Sequence, residues 1–281
     1  MKLKYVVSSV CIVTLLSACG STARTTIETP EPTSTAVSAM DEAMKHISGW
    51  GGLHVSEYEL PAKGTEHFSK DQVDKVAHDV VGLLQNQLTY QSAESQDDVL
   101  KDVNSFVAEA PGKLADYMTT VSKADANDKD NTIWPLVYVQ PIDSTYKVED
   151  ASHSTYAWNV KEQELHGTDG VAVTLFHRTF YKLQNTNGDE NFILVARWLE
   201  LSTIDPNYAA TSGDYAWRLD VSVQGAEYCD AVNRNLLVPS PVAEPNGKNF
   251  ETLLKVAPNE FKPKSDFKED DKKLAAEVAK C

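Results

Sequence analysis

Apolar residues recur along this chain with two periods, a helical one first and an extended one after it. Val73, Val76, Ala77, Val80, Leu83, Leu84 and Leu88 advance by steps of three and four, forming one stripe that leaves Asp71, Lys75, His78 and Gln85 toward water. Ser69 and Gln72 stand at the spacing of a capping box, and Phe68 and Val73 at the two positions of a hydrophobic staple, so the helix starts there. A second helix opens near Ser95 with Val99, Val103, Phe106, Val107 and Ala110 on its apolar side. Pro111-Gly112 ends it, and Leu114, Tyr117, Met118 and Val121 predict a shorter third. Upstream, Met40 to Ile47 reads as a short helix, Ser48 to Gly52 as a turn around a buried Trp50, and Leu53 to Leu60 as a strand ended by Pro61 and Gly64.

Downstream the period becomes two. Tyr215, Trp217, Leu219, Val221 and Val223 alternate with Ala216, Arg218, Asp220, Ser222 and Gln224, the pattern of a half-buried strand. Leu136 to Gln140, Ser154 to Glu164 and Val171 to Leu183 are further strands, with Tyr156, Trp158 and Val160 sharing one side of the second. Phe192 to Thr203 is apolar on both faces, as a central or doubly covered strand would be. Gly167 to Gly170 and Asn185 to Asp189 supply residues that tolerate positive φ, so the strands they join pair antiparallel. The expected fold class is α+β, with N-terminal helices packed on a curved antiparallel sheet of about five strands across residues 39–233.

Over residues 68 to 224 this order of elements resembles the cone-shaped NTF2-like superfamily. The resemblance rests on element order and implies a space between sheet and helices that holds a small apolar ligand, catalyses in some members and is only an interaction scaffold in others. Fold leaves that choice open. Trp158, His177, Trp198 and Trp217 lie on the four long strands and are the candidate lining of such a pocket, where an amphipathic ligand would stack and meet one polar group. The alternative is that the rings simply fill the core. His177 and Arg178 are adjacent on one strand, so only one of them points to a given face.

The N-terminus carries a different signal. Lys2 and Lys4 precede the mostly apolar Tyr5 to Leu16, and Leu16-Ser17-Ala18-Cys19 follows. This resembles the lipobox of bacterial lipoproteins, which implies cleavage after residue 18, acylation of the Cys19 thiol, and an extracytoplasmic protein anchored to the bacterial cell membrane. A spanning helix needs about 20 apolar residues, whereas Tyr5 to Leu16 is shorter and includes Ser8, Ser9 and Thr14. An ordinary secretory signal, leaving a free protein, is the alternative. Gly20 follows the cysteine where an Asp would signal inner-membrane retention. Residues 19–38, rich in Ser, Thr and Pro, have too little apolar surface to fold and read as a tether.

Charge and cysteine usage narrow the partners. The net charge is −15, and loss of Lys2 and Lys4 with residues 1–18 makes it −17. Such a body repels phosphate backbones and anionic headgroups, which disfavours nucleic acid and leaves the membrane contact to the N-terminal lipid. Of the four cysteines, Cys11 goes with the leader and Cys19 takes the lipid, leaving Cys229 and Cys281. In an oxidising compartment they read as a disulfide; two free thiols or an intermolecular bridge are the alternatives. Residues 234–281, rich in proline and charge, read as an extension stapled by that bond. It carries short helices at Phe250 to Val256 and Asp270 to Ala279, or else serves as a partner-binding arm.

Catalytic and metal signatures fail on mechanism. The segment Asp125 to Asn131 resembles a calcium loop until Lys129 falls at the fifth position, Asp130 where a glycine must turn and Leu136 where a bidentate Glu must ligate. The seven histidines show no i, i+4 pair for zinc, and no Gly-x-Ser-x-Gly elbow occurs. No catalytic residue, metal or cofactor is assigned. The expectation is a non-enzymatic binding or interaction module anchored at the cell envelope, with a small amphipathic-ligand carrier as the alternative and a pocket hydrolase or isomerase behind it.

Overall fold

The computed structural model describes residues 43–52, 54–128, 131–148, 153–240, 248–267 and 281. The leader, the tether, the start of the Met40 to Ile47 helix and the helix expected at Asp270 to Ala279 lie outside the described residues. The fold class is α+β. A helical turn at 43–47 (α1) and β1 (Gly51–Gly52) lead to α2 (Lys70–Thr89), β2 (Ser92–Ala93), α3 (Gln96–Ala108), α4 (Lys113–Asp125) and α5 (Pro135–Tyr138). Then come β3 (Ile142–Asp143), β4 (Lys147–Val148), β5 (His153–Leu165), β6 (Thr168–Gln184), β7 (Glu190–Thr203), α6 (Pro206–Ser212), β8 (Ala216–Gln224), α7 (Tyr228–Arg234) and α8 (Lys248–Lys255).

The predicted helix start is present. The Gln72 amide donates to the Ser69 hydroxyl at 3.4 Å while the Gln72 side chain accepts from the Ser69 amide at 2.9 Å, so two orphan donors of the first turn are satisfied. The Ser95 hydroxyl caps α3, accepting from the Asp98 amide at 3.3 Å.

Four long strands form a continuous antiparallel run, β5-β6-β7-β8, with β1 beside β5 and β4 pairing with β6, which makes six strands. The first hairpin turns earlier than expected: His166 (φ 55°) and Gly167 (φ 80°) are its two central residues, and Thr168 already belongs to β6. Two positive φ values in a two-residue loop match the right-handed twist of the flanking strands.

Two expected strands are not strands. Pro135 opens α5 because its fixed φ suits the first position of a helix, so residues 135–138 form one helical turn. Between residues 54 and 60 the chain forms a 3-10 turn at Val55–Glu57 and then side-chain contacts in place of a ladder. The Glu59 amide donates to the Tyr156 hydroxyl, and its carbonyl accepts from the Trp158 indole. Those bonds satisfy a backbone that has no neighbouring strand.

Both faces of the sheet are covered. On the first, α2 lies across β6 and β7, and its stripe joins Val171, Val173, Leu175, Leu199, Leu201 and Leu219 in one cluster; Tyr181, Leu183, Ile193, Val195, Val221 and Val223 form a second. On the opposite face Phe176, Phe180, Phe192, Leu194 and Trp198 pack against Ile47, Trp50, Phe250, Leu253, Leu254 and Phe267. The doubly apolar β7 is explained by this double cover. Past residue 233, Leu236, Leu237, Phe250, Leu253 and Leu254 are buried in the clusters on the two faces. Cys229 in α7 and Cys281 are joined by a disulfide, with Cα atoms 5.1 Å apart.

Candidate functional site

Between the two apolar clusters of the helix-covered face lies a band of polar side chains. Tyr156, His177 and Arg197 stand in one row across β5, β6 and β7. His177 is fully buried; its Nε2 is 3.0 Å from the Tyr58 hydroxyl and its Nδ1 3.4 Å from Thr179 Oγ1. Arg197, also buried, donates from Nη1 to Thr179, from Nη2 to Tyr181 and from Nε to Gln140, at 3.1, 3.1 and 2.7 Å. A neutral imidazole has one donor and one acceptor nitrogen, so one of Tyr58 and Thr179 donates to the ring and the other accepts from it. Burial holds the His177 pKa well below the usual histidine range, and the charges of Arg197 and Arg178 push the same way. Burial likewise pushes Tyr58 up to about 12. A neutral imidazole, hydrogen-bonded at both nitrogens and enclosed by side chains, fastens the sheet to the segment at Tyr58.

The four residues expected to line one pocket are therefore divided. Trp158 and Trp217 face the helices with His177, but Trp158 donates to the Glu59 carbonyl, Trp217 lies 6.2 Å from the Tyr138 ring, and the imidazole bonds to Tyr58 and Thr179. Trp198 is on the opposite face, in register with Phe176 and stacked on it at 4.9 Å. An in-register partner shares a face, so Trp198 sides with Phe176 and Arg178, and the sheet separates it from His177.

Trp198 instead borders a recess of about 150 Å³ on that opposite face. Its floor is a row in register across all four long strands: Asn159, Thr174, Glu200 and Arg218. Lys161 and Asp220 stand beside this row, and Phe261, Pro263, Lys264 and Ser265 form a wall. The wall is pinned by the Trp198 indole donating to the Lys262 carbonyl at 2.7 Å and by Lys264 donating to Val221 at 3.3 Å. Thr174 donates to Glu200 Oε2 at 2.8 Å, with Lys161 3.7 Å from the same oxygen, and Arg218 Nε donates to Asp220 at 2.6 Å. Burial raises the Asp220 pKa against the pull of Arg218. The arrangement offers acceptors, donors and an apolar border within a space the size of one ring.

Sequence reasoning placed Arg218 and Asp220 on the polar side of their strand but gave them no role, and it passed over Asn159, Lys161, Thr174 and Glu200. The available signal was Glu200, a charge inside the most apolar strand. Among the described residues no group of three or more His, Cys, Asp and Glu could hold a metal ion, and no helix is long and apolar enough to cross a membrane. Residues 129 and 130 of the segment resembling a calcium loop lie outside the described residues. No family profile, curated protein or solved structure matches the chain.

Proposed function

We propose that this chain is an extracytoplasmic lipoprotein, held to the bacterial cell membrane by acyl groups on Cys19, whose folded part is a non-enzymatic binding module at the cell envelope. The observation that carries the reading is Leu16-Ser17-Ala18-Cys19 after a basic start and an apolar run. The Cys229–Cys281 disulfide supports it, because such bonds persist in oxidising compartments. The saturated hydrogen bonding of His177 favours binding over catalysis: the most perturbed histidine has both ring nitrogens engaged inside the core. The NTF2-like resemblance belongs to the same proposal, with the scaffold role chosen from the roles it implies. One acyl chain gives only reversible attachment, so durable anchoring requires two or three.

Metabolic labelling with an alkyne fatty acid tests the anchor. The wild-type chain is expected to label and to fractionate with membranes, and Cys19→Ala to do neither. An unlabelled wild-type protein that fractionates like Cys19→Ala would remove the reading. The recess beside Trp198 favours a second reading, a carrier of one small ligand.

A further inference from the structure

We infer that the recess on the sheet face opposite the helices binds one neutral saccharide unit, its hydroxyls meeting the row Asn159, Thr174, Glu200 and Arg218 and its apolar edge meeting Phe261 and Pro263 beside the buried Trp198. The inference rests on the reading of the chain as a binding module and names the chemistry that module recognises. Size comes first. Pockets for drug-sized molecules start at roughly 300 Å³, and about 150 Å³ leaves room for a single ring.

Charge then selects among ligands of that size. A small anion would meet Glu200 and Asp220, and a small cation would meet Lys161, Arg218 and Lys264. An apolar molecule would strip water from all five without replacing its hydrogen bonds. Vicinal hydroxyls match the mixture, since each donates and accepts. The bonds described for Glu200 all fall on Oε2, which leaves Oε1 to accept from a ligand hydroxyl. Arg218 commits Nε to Asp220, and its half-exposed fork retains donors. Asn159 supplies both an amide donor and a carbonyl acceptor at the end of the row.

The site is also held in place. Four of its side chains come from adjacent strands, whose spacing is set by backbone ladders, and its wall is tied down through Trp198 and Lys264. A ligand thus meets groups whose ordering cost is already met by folding.

The test is titration calorimetry of the purified full chain against methyl β-glucoside and N-acetylglucosamine, with glucuronate and glucosamine as charged comparators. Saturable millimolar binding of at least one neutral sugar is expected. Glu200→Gln and Asn159→Ala should each weaken it roughly tenfold, about 1.4 kcal/mol, with unfolding temperatures near that of the wild type. Trp198→Phe should abolish any accompanying change in tryptophan fluorescence. Absence of saturable binding by both neutral sugars overturns the inference. So does undiminished binding in folded Glu200→Gln and Asn159→Ala, or tighter binding of glucuronate or glucosamine. Should Glu200→Gln fail to fold, Asn159→Ala carries the test alone. Fatty-acid labelling of the same preparation reads the anchor independently of either sugar result.

Discussion

His177 and Arg197 face each other in register across β6 and β7, and the guanidinium sends its hydrogen bonds to the neutral oxygens of Gln140, Thr179 and Tyr181. A second positive charge on His177 would be buried beside an uncompensated first. The unfolded chain carries no such penalty, so its histidine titrates near 6.5, while the folded one stays neutral well below that. Above that pH the two states bind the same number of protons; below it the unfolded state binds one more. Stability therefore falls as the solution becomes more acid, by about 1.4 kcal/mol per pH unit.

Urea unfolding followed from about pH 7.5 down to 5 is expected to show no contribution from His177 above about 6.5 and, below it, a loss of stability that is steeper in the wild type than in His177→Gln. His67, raised by Glu162, acts in the opposite sense, but it is exposed and common to both proteins, so the difference isolates His177. Glu162 itself, lowered to about 2, contributes at more acid values.

On the other side of β6, Arg178 donates from Nη1 to the carbonyls of Leu253 and Val256 and from Nη2 to that of Ala257, at the C-terminal end of α8. The last carbonyls of a helix lack internal partners and carry its negative end, so a buried cation there satisfies them and is itself compensated. The Trp50 ring lies 4.7 Å from the guanidinium. Arg178→Ala is expected to cost about 3 kcal/mol or more and to make residues 248–267 the first site of limited proteolysis. Equal protection in mutant and wild type would show that α8 is held by its apolar contacts alone.

What could be read from the sequence was local. Ser69, Gln72, Phe68 and Val73 lie within six positions of one another, so their pattern reports the start of α2 without knowledge of the fold. The alternation of Trp217, Leu219, Val221 and Val223 likewise identifies the buried side of β8. The face occupied by Trp198 was not legible, because it depends on the register of β6 with β7, which pairs position 176 with 198 through a turn at residues 185–189. The cover over the second face was hidden for the same reason: Arg178 meets α8 across some 75 positions. Pro135 outweighed the β-branched and aromatic residues beside it, and that local rule could have been applied.

Two glycines should respond oppositely to alanine. Gly213 ends α6 at φ 70°, where a Cβ would collide with the Pro111 carbonyl. Gly82 is interior to α2 with open space around it. Gly213→Ala is expected to destabilise by more than about 1 kcal/mol, and Gly82→Ala to stabilise by up to about 1 kcal/mol. Thermal unfolding of the two variants beside the wild type checks both signs.

The disulfide closes a loop spanning 52 positions, from Cys229 in α7 to Cys281. Crosslinking removes conformations from the unfolded chain, and the chain-entropy relation gives about 4 kcal/mol for a loop of this length. That figure is of the same order as the cost argued for Arg178→Ala, so reduction should lower the urea midpoint by a comparable amount. Thiol titration of the unreduced, denatured chain is expected to leave Cys229 and Cys281 unreactive, and Cys229→Ser should reproduce the loss without reductant. Two titratable thiols at these positions, or a midpoint indifferent to reductant, would detach Cys281 from α7.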